Sequence, residues 1–181
     1  MTRHIIRPET PDDIAPIAKL HRAAFGPDEP IPQLVERLRA LSAALPTLSF
    51  VACEAAGPVV GHVMLSHAWL DAPDRLIDIL VLSPLGVATH AQRNGVGTAL
   101  LAHAVTEAAR TPAPILILEG DPGYYGPRGF EPATALGLRA PSLRIPDRAM
   151  QLVRLPGYRA GMTGSLVYRD LWWDLDCVGL R

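Results

Sequence analysis

Apolar residues recur at spacings of three and four from Ile14 through Ile17, Ala18, His21, Ala24 and Phe25, which predicts a helix with one apolar face. Its start is marked by Thr10-Pro11-Asp12-Asp13, which offers an N-cap, a proline at the first helical position and an acid two places later, and Gly26-Pro27 ends it. Pro16 falls near the first turn, where a missing amide donor is tolerated. Ahead of this helix, residues 3–7 form a short β-branched run stopped by Pro8. A second helix over residues 32–44 brings Leu34, Leu38 and Leu41 together. The pattern then changes to β-rich runs at residues 48–54 and 59–67, and Ala55-Ala56-Gly57-Pro58 between them reads as a hairpin connection. Residues 76–82 extend the meander up to Ser83-Pro84, and Leu85-Gly86-Val87 resumes it. A proline without a ladder donor predicts a bulge or splay at that point.

From residue 95 to 110 the period is helical again, with Val96, Leu100, Leu101, Ala104, Val105 and Ala108 in one stripe, until Thr111-Pro112-Ala113-Pro114. Residues 115–118 are four apolar residues without alternation, as expected of a strand covered on both faces and joined by a crossover to a parallel neighbour. Strand-like pieces follow at residues 149–154 and 165–168 in a stretch rich in Pro, Gly and Arg. The fold class is therefore α/β of the α+β kind: a mixed, mostly antiparallel central sheet flanked by helices, with a splay between its two central strands.

Composition narrows this picture. A chain of 181 residues with 49% apolar and 19% charged residues is globular, and its length is that of one domain, residues 1–181, with a core over about 3–132 and a tail of strands over 133–181. The formal charge of -1 favours neither nucleic acid nor an anionic membrane as partner. Cys53 and Cys177 are too few for a disulfide framework, and no stretch approaches 18 apolar residues, so the expectation is a soluble cytoplasmic protein with no membrane partner. Six histidines without a His-x-x-x-His pair or adjacent cysteines predict no metal site.

The chemistry lies between the third antiparallel strand and the amphipathic helix, at Gln92-Arg93-Asn94-Gly95-Val96-Gly97-Thr98. A strand-to-helix turn with two glycines offers unpaired NH groups at a positive dipole end, and a phosphate or pyrophosphate is the natural ligand. A P-loop is ruled out because Thr98-Ala99 follows Gly97 and no lysine is near. A dinucleotide fingerprint is disfavoured by Leu100 at its third small position and by the antiparallel strands that come first.

The segment resembles the acyl-CoA pyrophosphate loop of the GCN5-related N-acetyltransferases, whose pattern is Gln or Arg, two variable residues, Gly, one variable residue, then Gly or Ala. Tyr124-Tyr125-Gly126-Pro127-Arg128-Gly129-Phe130 is similar to a second family element, a tyrosine shortly before Gly-Phe after the next strand. The order of elements over residues 3–132 also fits, and the tract from Gly120 to Phe130 resembles a bacterial branch of predicted acetyltransferases. Gly126-Pro127 departs from the pattern by making the tyrosine helix less regular.

The resemblance implies transfer from acetyl-CoA, as co-substrate, to a primary amine of a small molecule or peptide in a ternary complex without a covalent enzyme intermediate. It places the cofactor on Leu85, Val87, Ala88, Gln92, Arg93, Asn94, Gly95, Val96, Gly97, Thr98 and Tyr125. The Val87 NH becomes the donor to the developing oxyanion, and Tyr125 the general acid for the departing thiolate. It also implies a homodimer as one assembly. Glu29, Asp78, His62, His67, Ser83 and Glu119 all remain open as the base. The alternative reading is an acyl-CoA-binding sensor or partner-binding module that has lost turnover. Trp172-Trp173 is open between core packing, an acceptor-pocket wall and a dimer anchor.

Overall fold

The computed structural model describes residues 4–54 and 57–179. β1 (His4–Pro8), β2 (Leu48–Glu54), β3 (Val59–Asp71) and β4 (Leu76–Val87) pair antiparallel in chain order, and β5 (Ile115–Glu119) joins β4 in parallel. Beyond β5 the sheet continues antiparallel through β8 (Met150–Arg154) to the two-residue β6 (Glu131–Pro132). β9 (Gly164–Val167) and the short β7 (Leu138–Arg139) complete it off the far end of β3. Residue 3 of the expected first strand and residues 55–56 of the hairpin connection lie outside the described residues. The described part of β1 runs one residue further than expected and includes Pro8.

Helices cover both faces. On one, α1 (Ile14–Phe25), α2 (Ile31–Arg39) and α5 (Asp170–Asp174) close over Leu34, Leu38, Met64, Ile79 and Ile117. On the other, α3 (Val96–Ala108) and α4 (Pro122–Tyr125) cover Leu65, Leu80, Leu100, Leu101 and Leu116. Side chains such as Leu80, Leu100 and Leu116 are fully buried, each stabilising the fold by roughly 2–3 kcal/mol. The capping box predicted ahead of α1 is present: the Thr10 amide donates to Asp13 Oδ2 at 2.8 Å, and a short 3-10 turn leads into the helix.

Three expectations change. α2 ends at Arg39 rather than near residue 44, and the Thr47 hydroxyl donates to the Leu38 carbonyl at 3.1 Å. The reason is topological: Leu41 packs in the core beneath α1 and α2, whereas Leu45 is buried in the core on the opposite face of the sheet. A continued helix would place those two residues, four apart, on the same side. The apolar stripe of α1 is also narrower than the periodicity suggests. Ile17, Leu20 and His21 are buried, but Ile14 (43%) and Phe25 (42%) stay exposed. Finally, β3 runs to Asp71 instead of stopping near residue 67, because its last residues pair with both β4 and β9.

At Ser83-Pro84, β4 continues through a bulge. The pairs Val63–Leu85 and Leu65–Leu82 leave Ser83 and Pro84 opposite Met64 alone. The parallel ladder between β4 and β5 is restricted to Leu80–Leu116 and Val81–Ile117. Past Val81 the two strands part, and β5 keeps only its other neighbour, β8, out to Glu119. This is the splay expected from the sequence.

Candidate active site between the parted strands

The backbone of β4 beyond the bulge is half paired. The Ala88 amide donates to the Val60 carbonyl at 2.9 Å, and Gly86 and Val87 stand opposite His62 and Gly61. Bonded and non-bonded pairs alternate in an antiparallel ladder, so Leu85 and Val87 turn their NH groups away from β3 and into the gap beside β5. The Gln92 side chain donates to the Val87 carbonyl at 3.1 Å, which ties the turn to the strand end.

Beyond this turn Arg93 (φ 61°) and Gly95 (φ 82°) adopt left-handed backbone, and Gly95 caps α3. The Ala99 amide is the first to bond back along the helix, to the Gly95 carbonyl at 2.9 Å. The amides of Val96, Gly97 and Thr98 are thus left as first-turn donors at the positive end of a 13-residue helix.

α4 closes this groove. Its N-cap Asp121 accepts from the Gly123 amide at 2.9 Å. The two tyrosines take separate places, each set by a glycine. A Cβ on Gly97 would lie 2.5 Å from the Tyr124 hydroxyl, and one on Gly120 would lie 2.2 Å from the Tyr125 ring. Tyr125 packs edge-on against Tyr124 and Phe130. Burial, reinforced by the neighbouring Tyr124, holds its phenol up at about 12, so it keeps its proton at neutral pH and can act as a donor. Arg128 lies over the Tyr124 ring, 3.9 Å from its centroid, donates to the Thr98 hydroxyl at 3.0 Å and bonds the Tyr124 carbonyl. It fastens α4 to the first turn of α3 and brings a second guanidinium beside Arg93.

The groove measures about 610 Å³ and is lined by Leu85, Val87, Gln92, Arg93, Gly95, Gly97, Thr98, Tyr124, Tyr125 and Arg128. Of the residues picked from the sequence, Ala88, Asn94 and Val96 lie beside it without lining it, and Val96 is buried in the core beneath. Arg128, which the motif patterns do not single out, and Tyr124, which reads from the sequence as a structural tyrosine, both line the groove. The spacing of four between them was the available signal, since it puts them on adjacent turns.

On the opposite face a second, smaller cavity opens at the mouth of the gap, where Val81 and Ser83 of β4 meet Glu119 of β5. Three of the six candidate bases, Glu29, Ser83 and Glu119, line it. His67 and Asp78 instead pair with each other at 2.6 Å outside both cavities, and His62 is enclosed beneath α1. Trp172 is buried and lines this cavity while Trp173 is exposed, so the two tryptophans separate in role. Among the described residues neither Cys53 nor Cys177 is in a disulfide. Among the described residues no group of three or more His, Cys, Asp or Glu is placed to hold a metal, and no helix is long and apolar enough to cross a membrane.

An open mixed sheet parted between two central strands, with a glycine turn feeding a helix N-terminus at the gap, defines an acetyltransferase of the GCN5-related class. The family model for the acetyltransferase (GNAT) domain matches residues 5–133, and the chain belongs to this family. Among solved structures it is similar to the GNAT family N-acetyltransferase YhbS of Escherichia coli in complex with CoA: 27% identity, a TM-score of 0.82, and coverage of 95% of this chain and 93% of that one. A GNAT family acetyltransferase from Brucella melitensis in complex with acetyl-CoA is 26% identical, with a TM-score of 0.73 and coverage of 95% and 99%. No functionally curated protein matches.

Proposed function

We propose that the protein is an acetyl-CoA-dependent N-acetyltransferase acting on a primary amine of a small molecule or peptide by direct attack in a ternary complex. The observation that carries this reading is the gap between β4 and β5, where the open amides of Leu85 and Val87 adjoin a groove ending in the free first-turn donors of α3. That two relatives of similar length are complexes with CoA and acetyl-CoA supports the same co-substrate here.

In this reading the pyrophosphate rests on the amides of Val96, Gly97 and Thr98, with Arg93 and Arg128 supplying charge. The pantetheine arm runs along Leu85 to Val87 as an added strand. The thioester carbonyl then meets the Val87 NH, which donates to the oxygen as it becomes an oxyanion. The amine nitrogen forms its bond to the carbonyl carbon, the carbon–sulfur bond breaks, and the thiolate takes the phenolic proton of Tyr125. The amide nitrogen gives up its surplus proton, which restores Tyr125. Holding the amine and thioester together supplies much of the rate gain. The whole chain serves as one transferase domain in a cytoplasmic setting.

Thiol release from acetyl-CoA with a panel of primary amines, measured beside calorimetric CoA binding, tests the reading. Binding together with amine-dependent release is expected. Binding without release for any amine would favour the sensor alternative, and absence of binding would remove the loop assignment.

A further inference from the structure

The cavity on the α1 and α5 face carries an inference that rests on the transferase reading and deepens it. It measures about 290 Å³, at the low end of the roughly 300–1,000 Å³ typical of small-molecule pockets. Its walls are Phe25, Ile31, Val81, Tyr168 and Trp172, with Tyr168 stacked on Trp172 at 4.9 Å between ring centroids. The ionisable side chains in its lining include the acids Glu29, Glu119 and Asp176, and no Lys, Arg or His is among the described residues that line it. Asp176 is paired with Arg144 at 2.5 Å.

Glu119 is the innermost of these acids. Its Oε1 accepts from the Tyr168 hydroxyl at 2.5 Å and its Oε2 from the Gly179 amide at 3.1 Å, which leaves a lone pair on each oxygen for a further donor. It stands at the last position of β5, where strand alternation sends its side chain to one face and the Cα of Gly120, covered by the Tyr125 ring, to the other. A proton acceptor and a proton donor therefore stand on opposite sides of one strand end, next to the gap.

We propose that this cavity is the acceptor site and takes a small cationic primary amine with an apolar body, its nitrogen on Glu119 and its hydrocarbon against Phe25, Tyr168 and Trp172. The acids reject carboxylate-bearing amines, and the aromatic walls favour a cation. Glu119 takes one proton from the ammonium group, giving the neutral amine that attacks the thioester carbon, and releases that proton to solvent after the product leaves. The overall change is ammonium plus thioester to amide, thiol and one proton. Burial raises the Glu119 carboxyl, while Tyr168, the Gly179 amide and the field of Arg144 pull it back down. A raised carboxyl is the better base for an ammonium proton.

The matched probes are 2-phenylethylamine and phenylalanine, which differ by one carboxylate. With acetyl-CoA present, 2-phenylethylamine should be acetylated with kcat/KM at least about tenfold above phenylalanine. Glu119→Gln should lower kcat by about 100-fold or more and remove the acid limb of its pH profile, with calorimetric acetyl-CoA affinity unchanged. Phe25→Ala, at an exposed position, should weaken 2-phenylethylamine binding to the CoA complex about three- to tenfold and guards against misfolding of the first variant. Acetyl-CoA binding with equal use of phenylalanine, or with no calorimetric binding of 2-phenylethylamine, or with undiminished Glu119→Gln turnover, overturns this inference alone. Failure to bind acetyl-CoA overturns the transferase reading with it.

Discussion

His21 Nε2 lies 2.7 Å from His62 Nδ1 in a fully buried pair beneath β4, and the chain of bonds behind it fixes the direction of every proton. Burial pushes the Glu9 carboxyl up, but the nearby His62 ring and hydrogen bonds from Ser49 and Arg39 outweigh this and hold it at about 2, so it is ionised. As an anion it accepts from the Ser49 hydroxyl. The Ser49 oxygen, 2.9 Å from His62 Nε2, accepts that N–H, and His62 Nδ1 is left to accept from His21 Nε2. His21 Nδ1 then carries a bare lone pair, and it makes no hydrogen bond among the described residues. The His21 ring lies against Gly86, where an added Cβ would be 2.9 Å from it, so the chain ends under the strand that borders the gap.

This pair sets an acid limit on stability. Burial, with His62 adding to it, lowers His21 to about 3, and burial lowers His62 against the pull of Glu9. Both folded values lie below the unfolded value near 6.5, so the unfolded chain binds more protons as pH falls. The stability is complete above about pH 7 and is lost on acidification, at up to about 1.4 kcal/mol per pH unit for each histidine. Urea midpoints measured between pH 7 and 5 should decline accordingly, and His21→Gln should reduce the slope. A flat profile would show that the two rings take up protons in the folded state as readily as in the unfolded chain.

Tyr125→Phe keeps the ring that packs on Gly120 and Phe130 and removes only the hydroxyl. Turnover should fall about 100-fold, the low end for a general acid because a thiolate is already a fair leaving group. CoA affinity by calorimetry should stay within twofold. Unchanged turnover would take the acid role away from Tyr125.

Arg128→Ala removes a charge from the groove and the tie between α4 and Thr98. CoA should bind about tenfold more weakly, with a shallower dependence on salt. Arg128→Lys should recover charge but not the planar contact with Tyr124, and hence only part of the affinity. Equal affinity in all three proteins would place the phosphates elsewhere.

Gly97→Val tests the loop from the other side. Its Cβ would press within 2.5 Å of the Tyr124 hydroxyl, so α4 or the turn must retreat. A loss of CoA affinity of about tenfold or more is expected, equivalent to about 1.4 kcal/mol. The melting temperature should change little, since this contact lies on the groove surface and not in the core.

The elements of the proposed cofactor side were legible because local chemistry specifies them. The glycine turn, the proline-marked bulge and the run Ile115-Leu116-Ile117-Leu118 each carry their own signal, and the structure has the turn, the bulge and the parallel strand in those places. The proposed acceptor side was not legible in the same way. Glu119 was one of six unranked acids, histidines and a serine, and only the meeting of β5 with Tyr168 and Gly179 sets it apart. Those contacts span 49 and 60 residues and leave no periodicity. The end of α2 failed for a related reason, because local spacing cannot tell that Leu41 and Leu45 belong to different cores.

Placing Glu119 and Gly120 on opposite faces of one strand end makes the sheet a partition between two workshops. Under the proposed assignment the cofactor groove draws on residues 85–128 and the opposite cavity on residues 25–31, two positions of β4, the tip of β5 and residues 168–179. Under that assignment, substitutions in α1's last turn or in the C-terminal segment reshape what is accepted without touching the surface that carries the donor. A change of acceptor in this scaffold is open to stepwise exploration, one face at a time.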